Sequence, residues 1–248
     1  AWSVISGSAT FGNNADPKDQ VSNLATGENL LVWTISNGTC TPTKDTVKIT
    51  VSANPVVPNA GNDTSYCADA GTFNAAAPSI GTGSWSVISG AALIADTLDP
   101  QSAFSNLQAG TNTFRWTVVN GACRAFDLVN IRRDMPPSNA VAGDDQTICS
   151  DSTILSASQP VNGNGLWTLV SGQAEFADSS QAQTSVRNML PGLYTLVWTV
   201  SSGVCTPETD SMNVTVQARP TPPQAGADQT ICADTLVLGA NTPANGIG

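Results

Sequence analysis

The sequence predicts an all-β protein built from tandem antiparallel β-sandwich repeats of 82–83 residues. The first observation behind this prediction is a fixed period, because self-similarity at one spacing marks a tandem array of one structural unit. The second is an alternation of apolar and polar residues in short runs, which indicates strands with one buried face. The recurring positions are Trp2, Trp85 and Trp167, then Trp33, Trp116 and Trp198, then Cys40, Cys123 and Cys205.

Alternation is clearest around the second tryptophan of each block. Phe114, Trp116 and Val118 alternate with polar or charged residues, and the pattern recurs around Trp33 and Trp198. Turn residues such as Asn120-Gly121 follow these runs and are typical of tight hairpins. No apolar stripe of helical period reaches a useful length. Each period therefore predicts about seven short strands, which form a small antiparallel sandwich.

Proline-containing segments separate the predicted domains. They occupy residues 52–61, 134–143 and 217–226, lack alternation, and are typical of short, semi-rigid linkers. We expect a partial domain with the last five strands, two complete domains, and a partial domain with the first two strands, at 1–51, 58–133, 140–216 and 223–248. Since each partial domain would expose half a core, we expect neighbouring repeats of a longer polypeptide to complete it.

The composition argues against several partners and chemistries. The chain carries 19 acidic and 9 basic residues, a net charge of −10, and nucleic acids or anionic membranes require clustered basic residues. No run approaches the roughly 18 apolar residues of a membrane span, so direct membrane insertion is not expected. Histidine is absent, which excludes histidine-dependent triads, and no acidic pair recurs at constant spacing. The sequence thus predicts neither an enzyme nor a cofactor.

Three motifs recur and carry a resemblance to a known family. The opening motif occupies residues 60–67, 142–149 and 225–232, the last two reading AGDDQTIC and AGADQTIC; GTGSWSVISG begins at Gly81 and NLQAGTNTFRWTVVNGAC at Asn106. The set resembles Ig-like and PKD-like repeats of giant secreted surface adhesins and extracellular filaments of Bacteroidota, which are exported by type IX secretion. The resemblance implies Ig-like sandwiches and an extracellular or cell-surface location.

The six cysteines occupy two equivalent positions, one in the opening motif and one after the hairpin turn. Without histidine or a CxxC pair, disulfides explain them better than zinc does. Pairing within a domain, Cys67–Cys123 and Cys149–Cys205, is slightly favoured. The alternative is Cys67–Cys205, because a plain Ig topology places the opening strand's end and the turn at opposite poles. Cys40 and Cys232 are expected to pair outside residues 1–248.

Tryptophans, carboxylates and hydroxyls supply the remaining candidate sites. A sugar-stacking platform is one interpretation of the six tryptophans, but inward-facing core packing is preferred. Oxygen ligands for calcium could come from the opening motifs, where turn-forming aspartate is the more common role; the candidates are Asp63, Asp144, Asp145 and Asp228. Candidate O-glycan acceptors follow an aspartate and precede an apolar residue, at Thr46, Thr97, Ser211 and Thr235.

Two functions fit these features. The first is a non-catalytic shaft of an extracellular filament or giant adhesin, in which stacked sandwiches carry load and set distance. The alternative is an adhesive array that binds a glycan or protein through loops at one pole of each sandwich. The loops at 12–18, 95–101 and 177–183 are small and polar, which favours the shaft. Expected partners are further repeats of the same chain and copies of the chain in a multi-chain fibre, since the surface is poorly charged and few strand edges carry lysine.

Overall fold

The computed structural model describes residues 1–232 and 234–247. Within these residues the chain forms nineteen strands and no helix, so the predicted all-β class of tandem Ig-like sandwiches is confirmed. The chain divides into two compact units, Ala1–Arg133 and Asp134–Gly248. The first contains the first and second repeats, and the second contains the third repeat and the residues that follow it.

The first repeat contributes five strands. β1, β4 and β5 form an antiparallel sheet in that order, and β2 pairs with β3. The strands are β1 (Trp2–Ser6), β2 (Thr10–Phe11), β3 (Val21–Ser22), β4 (Gly27–Ile35) and β5 (Thr43–Val51).

The second repeat is a seven-stranded sandwich. Its four-stranded sheet has the order β6-β12-β11-β8, and its three-stranded sheet the order β7-β10-β9. The strands are β6 (Thr64–Tyr66), β7 (Gly71–Thr72), β8 (Thr82–Ser89), β9 (Leu93–Ile94), β10 (Ala103–Ser105), β11 (Gly110–Asn120) and β12 (Cys123–Arg133).

The third repeat has the same topology. Its sheets have the orders β13-β19-β18-β15 and β14-β17-β16. The strands are β13 (Gln146–Ile148), β14 (Thr153–Ser156), β15 (Asn164–Ser171), β16 (Glu175–Phe176), β17 (Gln183–Arg187), β18 (Gly192–Ser201) and β19 (Glu208–Val216).

The opening strand of each complete domain runs parallel to the last strand. Tyr66 at the end of β6 pairs with Arg133 at the end of β12, and Ile148 at the end of β13 pairs with Val216 at the end of β19. The opening motif therefore ends at the same pole as the last strand. The hairpin turn that precedes the last strand lies at the opposite pole, and this places the two cysteine positions far apart within one domain.

Paired tryptophans form the centre of each core. Trp85 lies opposite Trp116 and Trp167 opposite Trp198, with ring centroids 5.0 and 5.2 Å apart. All four are buried, and Phe73 stacks on Trp85 at 4.0 Å. These rings meet between the two sheets, because the tryptophans lie on strands of the four-stranded sheets and Phe73 follows β7 of a three-stranded sheet.

The first repeat departs from the expectation that all six tryptophans are core residues. Trp2 and Trp33 also face each other, with centroids 5.1 Å apart, but both are only half-buried. In the second repeat, Phe73 stacks on Trp85, the equivalent of Trp2, and both of these rings are buried. In the first repeat, the rings of Trp2 and Trp33 are partly open to solvent.

The predicted two strands of the 223–248 segment do not form among residues 223–232 and 234–247; positions 233 and 248 lie outside the described residues. In the complete domains, the opening strand pairs with the last strand of its own sandwich. No such strand follows β19 in the described chain, so the backbone groups of the opening segment have no ladder to join.

Candidate functional site

The most regular site in the molecule is the joint where a linker meets the domain that follows it. The first linker residue accepts a hydrogen bond from the hairpin turn of that domain. At the first joint, Ser52 Oγ accepts from the Ala122 N–H at 3.1 Å. At the second, Asp134 Oδ2 accepts from the Val204 N–H at 3.0 Å. Ser52 and Asp134 are one period apart, and so are Ala122 and Val204. The same hydrogen bond therefore recurs at both joints.

Glycine in the turn is required for this contact. Gly121 and Gly203 have φ angles of 57° and 50°, in the left-handed region that favours glycine. A Cβ atom on Gly121 would lie 2.0 Å from Ser52 Oγ, and one on Gly203 would lie 1.8 Å from Asp134 Oδ2. Any larger residue would therefore push the linker away from the turn.

Further contacts fix the linkers along their length. At the first joint, Asn120 Nδ2 donates to the Ala53 carbonyl at 2.9 Å. In the third repeat, Ser138 Oγ accepts from the N–H groups of Val161 and Asn162 at 2.8 and 2.7 Å. These linkers are thus held by hydrogen bonds to the domain that each of them precedes. This matches the semi-rigid character expected from their proline content.

The opening motif is held to the last strand by an aspartate that the sequence analysis did not single out. Asp127 Oδ2 accepts from the Ala60 N–H at 2.9 Å, and Asp210 Oδ2 accepts from the Ala142 N–H at 2.7 Å. Both alanines are buried. A buried N–H needs a partner, and the carboxylate supplies it. The signal was in the sequence, since Asp45, Asp127 and Asp210 recur at the period.

The second opening-motif contact involves two of the calcium candidates. Asp63 accepts from the Asn130 backbone N–H at 2.8 Å and from Asn130 Nδ2 at 3.0 Å. Asp145 makes the equivalent contacts with Asn213, at 2.8 and 3.4 Å. The backbone hydrogen bond from Asn130, and then the side-chain one, lower the pKa of the Asp63 carboxyl from its ordinary value. Both carboxylates therefore have a structural role at the sandwich edge.

Asp144 and Asp228, the other two calcium candidates, lie exposed. Among the residues that the structure describes, no group of three His, Cys, Asp or Glu side chains could hold a metal ion. Within these residues, the structure brings no set of ligands together at the predicted calcium site.

The cysteines correct the favoured pairing. Cys67 and Cys205 are disulfide-bonded, whereas Cys40, Cys123, Cys149 and Cys232 are free. Both within-domain pairs, Cys67–Cys123 and Cys149–Cys205, are therefore wrong. The reason is topological: Cys67 follows the end of β6 beside Arg133, while Cys123 begins β12. Ten residues of strand separate the two poles by about 33 Å, far beyond disulfide reach.

The loops at 12–18, 95–101 and 177–183, which a binding array would use, lie along the edges of strands β1, β8 and β15. The carbonyl oxygens of Asn14, Thr97 and Ser179 accept from the N–H groups of Trp2, Trp85 and Trp167 at 2.7–2.8 Å. Asp96 and Asp178 turn these loops by accepting from the backbone two residues on, and the hydrogen bonds from Ser180 lower the pKa of Asp178. These edges are consequently not open at the tryptophans. The lateral-assembly prediction then depends on the poorly charged surface alone.

The four O-glycan candidates, Thr46, Thr97, Ser211 and Thr235, are all exposed. Concave sites are small: a cleft of about 280 Å³ lies beside the opening motif, between Asp63, Tyr66 and Phe73. No helix within the described ranges is long and apolar enough to cross a membrane. The molecule thus offers exposed acceptor hydroxyls and shallow clefts.

Comparisons with known proteins found solved structures that are similar at low sequence identity. No protein-family model and no curated protein matches the chain. Solved structures that are similar include extracellular domains 3–5 of Drosophila OTK, at 11% identity and TM-score 0.48, covering 80% of this chain and 74% of that one. Titin domains I67–I69 match at 12% identity and TM-score 0.47, covering 88% and 87%. The insect immune protein hemolin matches at 10% identity and TM-score 0.36, covering 80% and 57%.

Proposed function

We propose that this chain belongs to the shaft of an extracellular filament or giant surface adhesin, and that it carries load and sets distance without catalysing a reaction. The observation that supports this proposal is the repeated joint: Ser52 and Asp134, one period apart, hold the hairpin turn of the following domain. A linker that is hydrogen-bonded to its domain restricts bending at the joint, which a distance-setting shaft requires.

The site chemistry favours the same function. The chain lacks histidine, and several of its aspartates hold strands together or turn loops. The loops that a binding array would use are small, polar and bonded to the tryptophan strands. The resemblance of the opening and hairpin motifs to Bacteroidota surface proteins supports export by type IX secretion and a cell-surface location. Copies of the chain packed side by side would form the multi-chain fibre.

The proposal can be tested by NMR relaxation on the 248-residue chain. If the joints are stiff, amides of domains 58–133 and 140–216 share one rotational correlation time. Asp134→Ala removes the acceptor of the Val204 N–H and should make the two correlation times diverge. Asn139→Ala is a matched control, because Asn139 is an exposed residue of the same linker. Independent tumbling of the two domains in the unchanged chain would overturn the proposal.

A further inference from the structure

We infer that the outer face of the four-stranded sheet in the second repeat is a binding platform for an anionic polysaccharide. Arg115 and Arg124 bind anionic groups of this ligand, and Phe126 stacks on a sugar ring between them. Such binding adds a ligand to one repeat of the array and does not depend on the proposed shaft function.

The platform consists of three rows of residues that run across β8, β11 and β12. On β11 and β12 the rows are the cross-strand pairs Arg115–Leu128, Thr117–Phe126 and Val119–Arg124. They continue on β8 to Ser86, Ser84 and Thr82. Because alternate residues of a strand share a face, all three rows lie on the same side of the sheet. The intervening residues Trp116 and Val118 are buried, so the rows face solvent.

The platform combines exposed apolar side chains with cations that the fold does not neutralise. Phe126 and Leu128 are 57% and 46% exposed, and the Arg115 guanidinium lies 5.5 Å from the centroid of the Phe126 ring. Arg115 Nε and Ser86 Oγ are shielded from solvent but have no hydrogen-bond partner in the described part of the chain. None of the nine residues of the three rows is acidic. Arg115 and Arg124 thus form a local positive region on a chain with a net charge of −10.

The fold does not require these side chains, because the other repeats lack them at the same positions. The equivalents of Arg115, Phe126 and Leu128 are Val197, Thr209 and Ser211 in the third repeat, and Val32, Lys44 and Thr46 in the first. The third repeat forms the same four-stranded sheet with an uncharged outer face at these positions. Exposing a phenylalanine and a leucine beside an arginine is therefore particular to the second repeat, and a ligand gives it a physical reason.

The chemistry of the platform fits a polysaccharide with anionic groups. Arginine binds anionic oxygen atoms through paired N–H donors, which are charge-assisted. An exposed aromatic ring stacks on the apolar face of a sugar ring, and serine and threonine hydroxyls can bond sugar hydroxyls. Arg124 is four residues from Leu128, the partner of Arg115, which is about 14 Å at roughly 3.4 Å per residue. A chain of a few sugar units therefore reaches both cations while it crosses Phe126.

The size of the platform argues against a protein as the occupant. Three rows on three strands span roughly 14 Å by 10 Å between the outermost Cα positions. A stable protein interface buries about 800 Å² on each partner. The platform is several-fold smaller than that, whereas a single polysaccharide strand that lies along the rows needs no wider surface.

NMR titration of the 248-residue chain with three oligosaccharides tests this inference. The probes are tetragalacturonate, a sulfated dextran oligosaccharide and neutral maltotetraose. We expect an anionic probe to shift amides of β11 and β12 and to leave β18 and β19 unchanged, and we expect no shift with maltotetraose. The ratio of the two anionic dissociation constants tells whether carboxylate or sulfate is preferred. Affinity should fall several-fold between about 0.01 and 0.15 M salt, because salt screens exposed charges.

Three variants locate the binding on the platform. Arg115→Gln should weaken binding roughly tenfold, since it removes charge-assisted hydrogen bonds. Phe126→Thr should weaken binding several-fold and keep the fold, because Thr209 occupies the equivalent position of the third repeat. Arg187→Gln is the matched control: it removes the same charge from an exposed arginine of the third repeat and should leave the affinity unchanged.

The opposite results would overturn the inference. They are no shift with either anionic probe, equal shifts with maltotetraose, or unchanged affinity in both Arg115→Gln and Phe126→Thr. If no anionic probe binds and Arg115→Gln instead abolishes concentration-dependent sedimentation, the face is a contact between copies of the chain and the inference is wrong. The correlation times of the two complete domains are a separate measurement, so failure here and failure of the shaft proposal are distinguishable.

Discussion

Replacing Gly83 with alanine tests the tryptophan pair that organises each domain. A Cβ atom at this position would lie 2.1 Å from Trp116 Cζ2 and 2.5 Å from Cη2, where ordinary contacts begin at 3.4 Å. Trp116 is fully buried, so the ring must move by more than about 1 Å within a packed core. Overpacking of this size costs about 1–3 kcal/mol, and we expect about 3 kcal/mol.

The expected fall in the melting temperature of the second repeat is about 12–24 °C, since 1 kcal/mol shifts a domain of this size by about 4–8 °C. Hydrogen exchange of β11 amides, with β18 amides of the third repeat as internal reference, separates the two domains. In a Trp116→Phe background, which removes the obstructing ring atoms, Gly83→Ala should cost at least about 1 kcal/mol less.

Gly239→Ala is the matched control, because no atom lies within 4 Å of its Cβ position and its φ is not positive. A loss below about 0.5 kcal/mol for Gly83→Ala, typical of surface substitutions, or strict additivity with Trp116→Phe, would refute the packing argument.

Three further predictions concern the opening motif and assembly. The pKa of Asp63 is lowered in the folded state, so its stabilisation of the fold is present above the unfolded pKa of about 4 and is lost as the pH falls through the lowered folded pKa. Asp63→Asn should therefore flatten the melting-temperature profile between about pH 5 and 2. An unchanged profile would contradict this prediction. Asp127→Ala leaves the buried Ala60 N–H without its acceptor and should lower the free energy of unfolding, measured by urea denaturation, by about 1–3 kcal/mol. Asp144→Ala, at an exposed aspartate, should lower it by under about 0.5 kcal/mol. Equal losses would contradict the role of Asp127 in holding the opening motif. A many-repeat chain should sediment as a concentration-dependent assembly, and a single-chain mass across micromolar concentrations would exclude spontaneous lateral association.

Much of the fold was predictable because the sequence repeats its own signals. The alternation around Trp116 and Trp198 defines the buried face, and the structure places both rings in the cores. The domain ends were harder, because a strand forms only where its partner exists. The opening segment after residue 217 has the motif but lacks the last strand that pairs with it in the complete domains.

The joint was largely invisible to sequence patterns. Ser52, Asp134 and Gln217 are equivalent but chemically different, so no residue type recurs at the position that anchors the turn. Asn112 and Tyr194 are also equivalent positions with different chemistry. Asn112 accepts from the Ala91 N–H and donates to three carbonyls, whereas the Tyr194 hydroxyl bonds the backbone of Leu190. Both close the same bend with different atoms. The direction of the opening strand, which decides the cysteine pairing, follows from tertiary pairing that periodicity alone does not report.

The proposed function requires the repeats to form a stiff, load-bearing shaft. Electron microscopy of the full-length natural product, with the bend angle between successive domains measured along single fibres, tests it most directly. We predict a narrow distribution of bend angles and the same angle at every joint, because each linker is held by the turn of the domain that follows. A broad distribution, with domains arranged like beads on a flexible string, would contradict it.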